Sequence, residues 1–383
     1  MNITKNIQYI GVDDTTLDLF ESQYVIPDGI SYNSYLIKDE KTTIMDCVDK
    51  RMQDEWLENL TEALADRTPH YLVVQHMEPD HAGCIALLAE KYPNMQIVTS
   101  ARAVQMLAQF FPEHDFTHRT LVIKEGDTLC LGQHTLQFMM APMVHWPEVF
   151  TTYEQSEKIF FSADAFGKFG ALMHDDEWDC EARRYYFNIC GKYGAQVQAL
   201  LKKVANLDIK TICPLHGPVL EDILGHCISL YNTWSSYQAE CKGVFIAYAS
   251  IHGNTAQVAH ILADKLREKG VRVSLSDLSR DDMAEAIEDA FKYDRMVVAA
   301  SSYDADVFPP MHDFLHHLQL KSYQNRKVGI IENGSWAPSA GRIMKGMLEQ
   351  MKEIEIVEPL VTIRSAYKQT DAEALDALVT ALL

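Results

Sequence analysis

The sequence predicts an α/β protein in two parts: a mixed region of short strands and helices over residues 1–242, and a doubly wound parallel sheet over residues 243–383. Three observations carry this reading. The chain has 383 residues, more than one hydrophobic core ordinarily organises. Short β-rich runs punctuated by turn residues fill the first half. From Gly243 onward, apolar strands alternate strictly with helical stretches, the pattern of parallel βαβ units.

In the first half, strands are expected at Ser34–Ile37, Thr43–Met45, Tyr71–Gln75, Gln96–Val98, Thr120–Ile123, Thr128–Leu131, Thr135–Met140 and Lys158–Phe161. Glu125-Gly126-Asp127 and Leu131-Gly132-Gln133 read as turns between them. Glu55–Ala65 and Cys84–Lys91 carry helical periodicity. After Asp176 the pattern becomes helical through Ala205, and one strand, Thr211–Cys213, returns. The second half opens with strand Val244–Ala247 and helix Thr255–Lys269. It continues through Val271–Ser274, Asp282–Phe291, Met296–Ala300, Phe314–Leu318, Lys327–Ile331 and Ser339–Met351. Glu355–Val357 is expected as the last of about five strands and Asp371–Leu382 as the last helix. The boundary falls near Gln238–Gly243, without a Pro- or Gly-rich linker, a repeat or a low-complexity tract.

Hydrophobic residues make up 47% and charged residues 23% of the chain, the balance of a soluble globular protein. A net charge of -20 and a pI near 5.1 argue against nucleic acid as a partner, because phosphate neutralisation needs Lys and Arg in excess. An acidic surface also suits a protein partner that presents a basic patch. No basic segment followed by an apolar run is visible at the start, so no signal peptide is expected. No apolar stretch reaches the roughly 18–20 residues needed to cross a bilayer. The eight cysteines form no CxxC pair, which argues against a disulfide framework or a zinc knuckle. Buried free thiols in a reducing cytoplasm are expected.

One stretch stands out. The apolar run Tyr71–Gln75 leads into His76-Met77-Glu78-Pro79-Asp80-His81, with four ligand-type side chains in six positions. Alternate residues on extended backbone can converge on a metal pair, and loops at strand ends are where such sites are built. Three more ligand types follow later strands: His145 after Phe138–Met143, Asp164 after Phe160–Phe161, and His216 after Ile212–Cys213. A single His near a strand end is ordinarily a satisfied polar residue. Seven ligand types at analogous places predict a metal site. His114, His316 and His317 lack such company and read as surface residues.

His76-x-Glu78-x-Asp80-His81 with His145, Asp164 and His216 resembles the metal signature of the flavodiiron proteins, a branch of the metallo-β-lactamase fold. Hydrolases of that fold usually carry His where this chain has Glu78. A further anionic oxygen makes the site harder and better suited to iron cycling between its ferrous and ferric states. The resemblance implies that His76, Glu78 and His145 hold one iron, that Asp80, His81 and His216 hold the other, and that Asp164 bridges them. Ser31–Ile37, His145-Trp146-Pro147 and Asp176-Glu177-Trp178-Asp179 are similar to segments typical of the family.

In the second half, Val244–Ala247 runs through Tyr248-Ala249-Ser250-Ile251-His252-Gly253-Asn254-Thr255 into a helix. A strand, a turn and a helix N-terminus make an anion site, to which Ser250 and Thr255 add hydroxyl donors. The turn lacks the lysine of GxxxxGK[ST] and the G-x-G-x-x-G fingerprint, so one uncharged cradle suits one phosphate, hence a mononucleotide. Two more loops, Ser301–Asp306 and Glu332–Ala337, follow strands and meet the first at the switch point of the sheet. This half resembles flavodoxin. The resemblance implies FMN contacts from Ser250, Ile251, His252, Gly253, Asn254 and Thr255, from Ser302, Tyr303, Asp304 and Ala305, and from Asn333, Gly334, Ser335 and Trp336. Trp336 and Tyr303 are expected against the isoalloxazine, with Gly334 letting backbone approach it. The middle loop departs from the commoner flavodoxin-type sequences.

The two resemblances together cover nearly the whole chain. They imply an N-terminal metallo-β-lactamase-like αββα sandwich followed by a flavodoxin-like doubly wound parallel sheet. They also imply a cytoplasmic oxidoreductase that reduces dioxygen to water, nitric oxide to nitrous oxide, or both, with electrons passing from an external donor through FMN to a non-haem diiron site. Two irons and reduced FMN can deliver two electrons each, which suits dioxygen; two nitric oxide molecules need only two. No nicotinamide site, rubredoxin-type cysteine pair or further reductase domain is visible, so a rubredoxin is the expected donor, or a reduced deazaflavin if the source is a methanogen. A head-to-tail homodimer or dimer of dimers, with one chain's FMN beside its partner's irons, is implied as well. Two rivals are a dinuclear metal hydrolase with a regulatory flavodoxin module, and an electron carrier with a structural metal. The ligand set does not separate dioxygen from nitric oxide.

Overall fold

The computed structural model describes residues 1–174 and 177–383, so Asp176, the start of one family-like segment, lies outside the described residues. The chain divides into two compact units: Met1–Tyr186 with Ala195–Tyr231, and Phe187–Gly194 with Asn232–Leu383.

The first unit is the expected αββα sandwich. One sheet has the order Ile7–Tyr9, Tyr35–Ile37, Thr43–Met45, Tyr71–Val73, Gln96–Ser100, Thr120–Ile123, and is parallel from Thr43–Met45 onward. The other has the order Thr128–Cys130, Thr135–Met140, Phe150–Glu154, Ile159–Phe161, Thr211–Cys213. Alternate residues point to one face of a strand, and the inward ones interleave here: Tyr35, Met45, Val73 and Val98 from one sheet, Phe138, Phe150, Phe161 and Cys213 from the other. Helices Gln53–Leu64 and Ala101–Phe110 pack on the first sheet. Ser100 starts the second of these, its Oγ accepting from the Ala103 N–H at 3.2 Å.

Several elements escape the sequence pattern, among them strand Ile7–Tyr9 and helix Ala101–Phe110, and two others bear on the site. Phe150–Glu154 is buried at every position, so it has no polar face to alternate. Pro79–Ala82 forms one helical turn, so Asp80 and His81 converge from a helix rather than from extended backbone, while Glu78 before it is extended. The cysteines also correct an expectation. All eight are free, but Cys130 and Cys180 are exposed and Cys241 is half-buried.

A buried pair ties the turn after Tyr35–Ile37 to the hairpin before Thr135–Met140. Asp39 Oδ2 accepts the His134 backbone N–H at 2.7 Å and lies 2.7 Å from His134 Nδ1. Burial alone raises the carboxyl, but hydrogen bonds from His134 and Glu40 outweigh it and hold Asp39 at about 2. Burial lowers the imidazole, and Asp39 and Glu157 more than reverse this, so His134 is raised. Asp39, depressed, stabilises above its unfolded pKa near 3.8 and loses that contribution as pH falls toward 2. His134, raised, stabilises below its unfolded pKa near 6.5 and loses that contribution as pH rises through the folded value. Urea unfolding should therefore find the largest stability difference between the parent and Asp39→Asn from about pH 4 to 6.5, shrinking on both sides.

The second unit is the flavodoxin-like sheet. Its parallel order is Val273–Asp277, Cys241–Ala249, Tyr293–Tyr303, Arg326–Asn333, Ile354–Ile356, a doubly wound arrangement. Ile354–Ile356 is not the last strand: Val361–Ile363 also pairs in parallel with Arg326–Asn333, and the short Asp306–Val307 folds back on Tyr293–Tyr303. Val244, Ile246, Val297 and Ile331 pack against Val258, Leu262, Leu375 and Leu378 from the helices on one face. Gly341 is required by a close approach. Its N–H donates to Glu332 Oε2 at 2.8 Å, and a Cβ there would lie 2.9 Å from the same carboxylate. Gly341→Ala should destabilise this unit by about 1–3 kcal/mol in urea unfolding. No helix among the described residues is long and apolar enough to cross a membrane.

Candidate metal centre and flavin cavity

Strand register brings distant ligand types together. Phe161 pairs with Cys213 in parallel, so Asp164 and His216, each three residues further on, emerge side by side. The loop joining Thr135–Met140 to Phe150–Glu154 carries His145 to the same end. Two groups form there: His76, Glu78, His145 and Asp164, and Asp80, His81 and His216, each offering ligand atoms within 4.8 Å of one another.

In the first group, Glu78 Oε2 lies 3.1 Å from His76 Nε2 and 2.9 Å from His145 Nε2. In the second, Asp80 Oδ2 lies 3.3 Å from both His81 Nε2 and His216 Nε2. Asp164 divides its oxygens between them. Oδ2 faces His76 at 3.2 Å and His145 at 3.1 Å, while Oδ1 faces His81 at 3.2 Å and His216 at 3.9 Å. The oxygens of Asp80 and Asp164 are buried without a hydrogen-bond partner in good geometry, a state that an unpaired carboxylate does not tolerate. Burial drives the imidazoles toward neutrality, but Asp164 and Glu78 outweigh it: His145 is pushed up to about 9, and His76 is raised well above its ordinary value. Burial likewise raises Asp164, but the imidazoles hold it well below the usual carboxylate range. The centre favours positive charge at its middle, and imidazole with carboxylate oxygen is a donor set for iron.

The surrounding shell is long-range. His216 Nδ1 lies 2.7 Å from the Ser31 carbonyl, Asn33 Nδ2 donates to the carbonyls of Pro214 and Gly217, and Tyr35 Oη donates to Pro214 at 2.6 Å. The family-like segment Ser31–Ile37 thus holds the His216 loop. Asp46, with φ +52°, accepts the Gln75 backbone and side-chain N–H groups at 2.7 and 3.0 Å and fixes the residue before His76. Trp146 packs edge-on against His76 and His145.

In the other unit, a cavity of about 610 Å³ opens where the three expected loops meet. Gly253 caps helix Asn254–Glu268 with φ +88°, and its N–H donates to Ser250 Oγ at 3.1 Å. Thr255 Oγ1 and Ser301 Oγ lie 2.9 Å apart. Ser302 Oγ accepts the N–H groups of Ser339 and Ala340 at 2.8 and 3.2 Å. This uncharged hydroxyl cradle at a helix N-terminus fits a phosphate. Trp336 is 88% exposed and Tyr303 46%, so both faces are open to a ring.

Residues 30–217 match the family described as ODP family beta lactamase, and residues 246–375 match Flavodoxin. In fold, the chain is similar to rubredoxin oxygen:oxidoreductase from Desulfovibrio gigas, with a TM-score of 0.93 at 24% identity over 100% of this chain and 97% of that one. It is likewise similar to the flavodiiron protein from Giardia intestinalis, with a TM-score of 0.91 at 24% identity over 99% and 95%. In sequence, it is 31% identical over 376 residues to the nitric oxide reductase of Moorella thermoacetica, covering 94% of this chain and 92% of that one. The chain belongs to the flavodiiron protein family.

All seven metal-ligand candidates drawn from the flavodiiron signature fall in the two groups. The expected flavin residues line the cavity, except Gly253, which shapes the cradle from behind. Ser301 and Ala337, the ends of the two expected loops, line it as well, as do Ser339 and Ser365, which lie outside those loops. Ser365 is reached through Asn333, whose Nδ2 donates to the Ser365 carbonyl and whose Oδ1 accepts its N–H. Glu148, which touches His76, was also missed; its one signal is its place three residues after His145.

Proposed function

We propose that this flavodiiron protein is a cytoplasmic reductase of dioxygen, nitric oxide or both, drawing electrons from an external donor through FMN. The single observation that carries the diiron assignment is Asp164, one buried carboxylate with one oxygen for each ligand group. His76, Glu78 and His145 would hold one iron, and Asp80, His81 and His216 the other, with Asp164 shared. When bound, the irons supply a redox-active pair at which a diatomic gas is reduced, and FMN supplies the store of electrons.

The chain's own residues prepare that chemistry. Glu78, Asp80 and Asp164 offset most of the charge of two ferrous ions in a buried site. Ser31 and Glu148 orient the rings of His216 and His76 so that Nε2 points inward. Ser250, Thr255 and the N-terminus of Asn254–Glu268 hold the FMN phosphate, and Trp336 and Tyr303 cover the ring. A rubredoxin is the proposed donor, as the name of the Desulfovibrio relative supports. A head-to-tail homodimer would place each FMN beside its partner's metal centre.

Metal and flavin analysis of the isolated protein tests this reading. Two irons and one FMN per chain are expected. Two zinc ions in place of iron would favour a dinuclear hydrolase instead.

A further inference from the structure

The imidazoles of the metal centre differ in what stands behind them. His76 turns Nε2 inward and Nδ1 toward Glu148 Oε1 at 2.8 Å. A metal on Nε2 leaves the ring proton on Nδ1, so this contact assigns the tautomer and Nδ1–H donates to the carboxylate. The Met77 N–H donates to the same oxygen at 2.9 Å, and Ser100 Oγ donates to the Glu148 carbonyl at 2.9 Å, so the residue is pinned at both ends. Its side chain is fully buried and Oε2 reaches no donor. His216 donates only to a neutral peptide carbonyl, and His81 Nδ1 is buried without a partner among the described residues.

Charge at the ligands themselves is otherwise even. Each group has one terminal carboxylate, Glu78 or Asp80, and one oxygen of Asp164. Asp46, also buried nearby, gives both oxygens to Gln75 rather than to a ligand, and Glu21 stands beside Glu78 and His145 on the same side as His76. A carboxylate behind an imidazole makes it a stronger donor and favours the higher charge on the metal; a carbonyl does so less. Glu148 therefore breaks the balance.

Resting on the diiron reading above, we propose that Glu148 poises the two positions unequally: the iron held by His76, Glu78 and His145 is the more readily oxidised. The ferric ion of a half-oxidised centre then sits at the His76 position. Glu148 touches neither gas nor metal, so it is a positioning residue.

Redox titration of the anaerobic, iron- and FMN-loaded protein, followed by the EPR signal of the half-oxidised centre, tests the proposal. It yields the constant for one diferric and one diferrous centre giving two half-oxidised ones. Glu148→Gln keeps the shape and removes the charge. The constant should fall by about tenfold or more, a narrowing of about 59 mV between the two one-electron steps, with two irons retained. Glu148→Asp, which keeps the charge, should stay close to the parent. An unchanged constant in iron-replete Glu148→Gln overturns the proposal. If that variant lacks iron, Glu148→Asp decides: a parent-like constant supports the role of charge, and iron loss in both variants overturns it. A parent chain without two irons fails the diiron reading itself, which metal analysis reveals before any titration.

Discussion

Asp164→Ala should lose both metals and reduce neither gas above background, while FMN stays bound. Among the described residues, Asp164 is the carboxylate with one oxygen toward each ligand group, so its removal leaves each a ligand short and brings the imidazoles of the two groups together without a shared anion. Outer partners of metal ligands are worth about 10–100-fold in affinity or activity, and a shared ligand exceeds that, so turnover should drop by more than about 100-fold. His145→Ala and His216→Ala should each lower iron content and abolish gas reduction, again with FMN retained. Iron analysis and the flavin absorbance of the same samples check both halves of the expectation. Normal turnover in an iron-depleted variant would remove the site from these residues.

Arg326→Ala should loosen the flavodoxin-like unit by about 3–5 kcal/mol. Arg326 is 3% exposed. Its Nε donates to the Tyr293 carbonyl at 2.7 Å, Nη1 to those of Tyr237, Gln324 and Asn325 at 2.8, 3.1 and 3.0 Å, and Nη2 to that of Phe291 at 2.5 Å. Truncation strands these carbonyls and opens a cavity beside Tyr323. FMN release during urea unfolding should move to lower denaturant, with iron content unchanged before unfolding. Arg326→Lys should recover only part of the loss, because a compact ammonium cannot span the same fan of acceptors.

Both ligand groups were legible because their side chains lie in the segments that follow strands, and the parallel pairing of Phe161 with Cys213 then sets Asp164 beside His216. The flavin loops were legible for the same reason: each follows a strand of the doubly wound sheet. What the sequence hid depends on contacts that no local pattern encodes. The Ser31 carbonyl acts on His216 through backbone, 185 positions away, so no side-chain pattern marks it. Ser365 enters the flavin cavity only because Val361–Ile363 pairs with Arg326–Asn333. Phe150–Glu154 lacks alternation because both of its faces are covered. Glu148 lies 72 positions from His76, and only folding of the loop that also carries His145 brings the two together.

The most direct measurement is consumption of dioxygen and of nitric oxide, in separate anaerobically prepared runs, by iron- and FMN-loaded protein given a reduced rubredoxin. Rapid loss of at least one gas, matched by oxidation of the donor, is the predicted result, and the faster reaction names the preferred substrate. Loss of neither gas by protein that holds two irons and FMN and visibly oxidises its donor would contradict the account.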